Sequence, residues 1–126
     1  MQAPEMRIAP DGSAGPAFMM VTYDVKPGTE EAFQVAVRRV GRARRRTGAV
    51  RWSLYRDADE PQRFVETFVV PSWDEHVRQH ERRTASDARL QQDLREFLVA
   101  GVDPHVDHFI APAHPRHSYG LRPNLR

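Results

Sequence analysis

Two short alternating runs, AVRWSLYRD at 49–57 and FVETFVV at 64–70, face each other across the loop Ala58–Gln62. Alternation with period two marks strands with one buried face, and a loop this short can only return the chain antiparallel to itself. That hairpin restricts the chain to folds built on an antiparallel sheet. In the first run Val50, Trp52 and Leu54 share one face, and Arg51, Ser53 and Tyr55 share the other.

The flanking segments complete the pattern. AFMMVTYDV at 17–25 reads as a strand ending at Lys26-Pro27-Gly28. Thr29 then caps a helix, with Glu30 and Glu31 against the positive end of its dipole. Phe33, Ala36, Val37, Val40 and Ala43 form its apolar stripe, and Gly48 stops it. Pro71 ends the third strand and Ser72 caps a second helix. A further helix is expected from about Ser86 to Ala100, with Leu90, Leu94, Phe97 and Leu98 buried and Gly101 closing it. HVDHFIA at 105–111 supplies a short last strand.

The resulting order β-α-β-β-α-(α)-β is the ferredoxin-like split βαβ arrangement, an α+β fold with a four-stranded antiparallel sheet and helices on one face. The folded domain is expected over 17–111. Residues 1–16 and 112–126, rich in proline and without apolar period, read as a flexible N-terminal arm and C-terminal tail. Helices cover only one sheet face, so the other would carry large apolar side chains into water. Pairing through that open face predicts a homodimer.

Several function classes fall away on composition. Among 126 residues there is no cysteine, which removes disulfides, thiolate zinc sites and cysteine nucleophiles and fits a reducing cytoplasm. No apolar run approaches the roughly 20 residues of a membrane span, and the N-terminus lacks a signal peptide's apolar core, so a cytoplasmic protein with no membrane span is expected. The net charge of +2 is not that of a dedicated nucleic-acid binder. The arginine run at 38–46 reads as the solvated face and C-terminal end of the first helix.

The segment SWDEHVRQHERRT at 72–84 concentrates reactive side chains. On a helix Trp73, Val77 and His80 share a face, with His76 beside it and Gln79 toward solvent. Histidines four apart can clamp an ion, yet two ligands do not make a site, so no metal is expected. A structural role and a cavity-lining acid–base role both stay open. His105 and His108 differ by an odd number and face opposite ways on a strand. Glu66 shares parity with Phe64 and Phe68, placing a carboxylate in an apolar row. Without a partner its pKa would rise toward the range useful for proton transfer; paired with Arg51 or Arg56, it would be structural. Trp52 reads either as core or as a flat wall for an aromatic ligand.

The layout resembles the dimeric α+β barrel superfamily, including the antibiotic biosynthesis monooxygenases, through VTYDVKPGTEEAF, Gly48-Ala49 and YRDADEPQRFV. Those monooxygenases carry Glu-x-Trp at the end of the third strand; here Glu66 lies two residues earlier and Trp73 three later. A tighter likeness is to the soluble C-terminal domain of major facilitator exporters of the transmembrane secretion effector group. Trp52-Ser53-Leu54, RFVETF and SWDEHVRQHERRT carry it.

The barrel resemblance implies a small cofactor-independent monooxygenase acting on an aromatic or polyketide-like molecule. His80 or Glu66 would be the base and Arg51 the holder of the developing anion, with Trp52, Trp73 and His76 about the substrate. The exporter resemblance implies a non-catalytic ligand-binding or dimerisation module. Heme binding, with His80 as an axial ligand, is a third reading, because relatives of this fold handle heme.

Overall fold

The computed structural model describes residues 7–8 and 10–112; the C-terminal tail beyond 112 and most of the first nine residues lie outside them. Four strands, β1 (Ala17–Asp24), β2 (Arg51–Arg56), β3 (Arg63–Val70) and β4 (His105–Ile110), form one antiparallel sheet in the order β2-β3-β1-β4. Three helices, α1 (Glu30–Thr47), α2 (Trp73–Arg82) and α3 (Ala85–Asp93), complete the expected α+β order.

Alternation sets the sheet's two faces. Ala17, Met19, Val21 and Tyr23 are buried, as are Phe64, Glu66, Phe68 and Val70 opposite them on β3. Phe33, Val37 and Val40 bring the stripe of α1 down onto this face. Gly41 continues that stripe without a side chain, and the Trp52 indole fills the space: a Cβ there would lie 2.5 Å from Trp52 Cε2. The glycine is needed for close approach. The opposite face carries half-buried Phe18, Met20, Val65 and Val69 together with exposed Tyr55 and Phe109. The Phe18 and Phe109 rings lie 5.9 Å apart there.

Local chemistry differs from expectation in three places. Thr29 occupies the N-cap position of α1, but its hydroxyl donates to the Lys26 carbonyl (2.8 Å) and does not cap the helix. The helix expected over 86–100 is shorter. A capping box between Thr84 and Asp87 starts α3, which tightens into a 3₁₀ turn at Leu94–Phe97. There the end of β1 competes for the backbone: Lys26 N donates to Phe97 O (2.8 Å) and Val99 N to Asp24 O (2.9 Å). These bonds draw Leu98 out of the helix into a bridge with Val25 while keeping it buried.

The third difference lies before β1. Residues 12–16, expected as part of a flexible arm, are docked on the start of α2. The Gly12 and Ala14 carbonyls accept from Asp74 N and Trp73 N, both at 2.8 Å. Gly15 lies so close that a Cβ would fall 2.4 Å from the Pro71 carbonyl oxygen. Ser72 Oγ, as expected, caps α2 by accepting from Glu75 N (3.1 Å). Two first-turn donors that a helix leaves unsatisfied thus find backbone acceptors outside it.

Candidate functional site

The face between sheet and helices holds two polar groupings that share Arg44. The first is centred on Glu66, which is fully buried. Its carboxylate accepts from Tyr23 Oη (2.7 Å), Arg44 Nε (2.8 Å), Arg44 Nη2 (3.1 Å) and Trp52 Nε1 (2.8 Å). Burial alone would push its pKa up, but the Arg44 charge and the three donor side chains outweigh that and hold it below the ordinary carboxylate value. The same burial, with the adjacent carboxylate, drives the Tyr23 hydroxyl well above its usual range, so it stays a neutral donor. Glu66 is therefore a fixed anion, and its partner is neither Arg51 nor Arg56. Arg51 is exposed on the far face of β2, directed away from the helices, which corrects its expected place beside a substrate anion. Trp52 lies against α1 with its N–H committed to Glu66, and it does not line the cavity described next.

That cavity opens between α1, α2, α3 and the β1–β4 side of the sheet. Met19, Val21, Phe68 and Val106 form its apolar floor. Room for the centre of a water molecule amounts to about 70 Å³, and the whole recess, mouth included, to about 700 Å³. Three histidines stand on its walls. His76 is buried, with its ring 4.8 Å from that of His80 and 5.5 Å from that of His108. The Trp73 ring packs at 5.1 Å from His76 and 5.7 Å from His108. His80 is exposed, at the mouth with Arg83. The inward face of α2 is thus Trp73, His76 and Gln79, one residue round from the expected Trp73–Val77–His80 face; Val77 is 43% exposed. Gln79 can turn inward because Nε2 donates to the Arg44 carbonyl (3.1 Å), one of the last acceptors of α1.

All three histidines are shifted toward the neutral form. Burial, then the neighbouring His80, pushes His76 down to about 4, against a small opposing effect of its bond to Gln79. Partial desolvation of its ring against the recess also lowers His80, helped by Arg83 and Arg44, and partial burial lowers His108. The rings meet edge to face, and among the described residues no group of three metal-ligating side chains is arranged to hold an ion. His108 Nδ1 is buried and meets no hydrogen-bond partner among those residues.

Three of these positions were absent from the sequence-based site, although two had a signal. Arg44 lies seven residues after Val37 and four after Val40, on the apolar stripe of α1. His108 has the parity of Val106, which is buried. Gln79 had none, since a buried glutamine is legible only through the acceptor it reaches.

A family model for transmembrane secretion effectors matches residues 1–116 of this chain. The chain belongs to the transmembrane secretion effector family. No helix among the described residues of this secretion effector homologue is long and apolar enough to cross a membrane. A search of curated proteins finds no match.

Solved structures share its fold. One is a Nitrosomonas europaea protein provisionally assigned as an antibiotic biosynthesis monooxygenase (20% identity, TM-score 0.63), matched over 82% of this chain and 95% of that one. Another is a variant of SnoaB, a cofactor-independent oxygenase from Streptomyces nogalater (18% identity, TM-score 0.58), matched over 81% and 96%. A third, Rv0793 from Mycobacterium tuberculosis, is 16% identical at a TM-score of 0.63 over 81% and 99%. The family member thus has the antibiotic biosynthesis monooxygenase-like fold, and its chemistry has to be argued from its own cavity.

Proposed function

We propose that the protein is a small cofactor-independent monooxygenase-like enzyme acting on an aromatic or polyketide-like molecule in the histidine-lined cavity. The observation that carries this reading is a recess with an apolar floor and neutral imidazoles on its walls. It offers a proton acceptor and a water-poor surface together. A substrate that supplies its own electrons needs little more. An imidazole takes a proton from an activated carbon or phenol, the carbanion adds dioxygen, and loss of water from the peroxide leaves a new carbonyl. His76, the most buried of the three, is the base in this scheme, and His80 stands at the mouth as a second one. Glu66 keeps its charge throughout and anchors Arg44.

The enclosed part is smaller than a fused aromatic system, so the substrate spans the mouth and covers His80 and Arg83. The open sheet face is the proposed homodimer interface, and a cytoplasmic setting suits a chain without cysteine.

The second reading, a non-catalytic ligand-binding or dimerisation module, draws support from the family match and from the full engagement of Glu66. An oxygen electrode with a panel of anthrones and polyphenols separates the two. Oxygen uptake by the wild-type protein that is lost in His76→Ala supports the enzyme. Compounds that bind without any oxygen uptake sink the enzyme reading and leave the module.

A further inference from the structure

A chain of hydrogen bonds begins at a group whose role is not in doubt. The Arg44 main-chain carbonyl can only accept, so the end of the Gln79 amide that faces it, 3.1 Å away, must be the NH₂. The amide oxygen Oε1 is thereby turned to His76 Nδ1, at 3.3 Å. That oxygen also only accepts, so Nδ1 must carry the proton. In a neutral imidazole the other nitrogen, Nε2, is then left with its lone pair. Among the described residues His76 Nε2 has no hydrogen-bond partner, and it is not among the atoms sealed from solvent without one.

The surroundings set what such an acceptor can take. Arg44, the arginine between the two groupings, already binds Glu66 through Nε and Nη2. Asp87 is bonded to Arg46 and to the Thr84 backbone. His80 and His108 are neutral neighbours of His76, and the cation at Arg83 stands at the mouth beside Gln91 (3.0 Å). Among the described residues, a ligand reaching the apolar floor therefore meets a lone pair, and the Arg44 charge beside it is already paired with the Glu66 carboxylate. A carboxylate at that depth would lose its hydration and face an acceptor.

We propose that Gln79 is a positioning residue that fixes His76 in its Nδ1–H form, so that Nε2 accepts from an un-ionised hydroxyl, a phenol or enol, in preference to a carboxylate. The ligand half of this rests on the reading of the recess as a small-molecule site; the tautomer half does not.

The test is histidine ring-nitrogen NMR on the ¹⁵N-labelled protein, first alone and then with 1-naphthol or 1-naphthoate. In the wild type, His76 shows a protonated Nδ1 and a bare Nε2. Gln79→Leu, which removes the acceptor opposite Nδ1, moves most of the population to the Nε2–H form. Naphthol shifts the Nε2 resonance and binds tighter than naphthoate by about tenfold, the worth of roughly one hydrogen bond. A wild-type His76 protonated at Nε2 overturns the proposal, and that outcome stands even if Gln79→Leu fails to fold. Equal binding of the two probes overturns the ligand preference. If neither probe moves Nε2 while the tautomer is as assigned, the small-molecule reading falls with the ligand half and the role of Gln79 stands.

Discussion

Glu66 and His76 are both buried side chains between the same sheet and helices, yet they are stabilised in opposite ways. Around Glu66 the interior keeps a full charge, because one cation, Arg44, and two neutral donors, Tyr23 and Trp52, converge on it. Around His76 the interior suppresses charge, because burial and neighbouring basic groups all disfavour the imidazolium. The first grouping is closed and complete; the second is open and, among the described residues, leaves ring nitrogens without partners. The contrast shows which polar residues hold the fold and which are free to meet a ligand. It argues against taking an isolated carboxylate in an apolar row as a base before its partners are known.

The sharpest way to break the comparison is Arg44→Met, which strands the Glu66 carboxylate. We expect a loss of about 3–5 kcal/mol in urea unfolding, with much of it recovered when Glu66→Leu is added. A loss under 1 kcal/mol would mean that the buried pair is not what holds this end of α1.

Acid should separate the two groupings. Below the ordinary histidine value of 6.5 the unfolded chain takes up a proton at His76 that the folded protein refuses until about 4. Stability therefore falls as pH drops through that window, by roughly 3 kcal/mol for a proton affinity lowered this far. His80 and His108 act in the same direction. Glu66 behaves differently: its carboxylate stays ionised below the ordinary 4.5, so its contribution is complete above that value and is lost only as pH falls further. Urea midpoints between pH 7 and 4.5 should decline in the wild type and decline less in His76→Phe; a flat wild-type profile would contradict the assignment.

Gly41→Ala should cost about 1–3 kcal/mol by driving a Cβ into the Trp52 ring. A shifted Trp emission maximum would report the loosened indole. The smallest effect is expected for His108→Phe, which removes the buried Nδ1 that has no partner among the described residues. Stability should stay within about 1 kcal/mol of the wild type and shift upward if at all, since deleting an unsatisfied group costs little. A loss above 2 kcal/mol would show that His108 holds the fold.

Much of this fold was legible because its segments speak in one period each. The β1 alternation, the hairpin, and the caps at Ser72 and Gly48 come from local chemistry. What could not be read depends on choices between distant groups. Arg44 was chosen over Arg51 and Arg56 because it hangs from the helix that covers Glu66, a fact of packing. The face of α2 turned by one residue because Gln79 found a carbonyl 35 positions earlier in the chain. Leu98 left its helix for the end of β1 by the same kind of remote competition.

By composition, the stretch before β1 looks like a tether that could be trimmed away. Its two carbonyls on Trp73 N and Asp74 N make it a splint for the helix that carries His76, Gln79 and His80. A chain shortened to start at Ala17 would keep every strand and every core residue of the sheet, yet release the first turn of α2. The contacts that steady α2 thus begin upstream of the first strand.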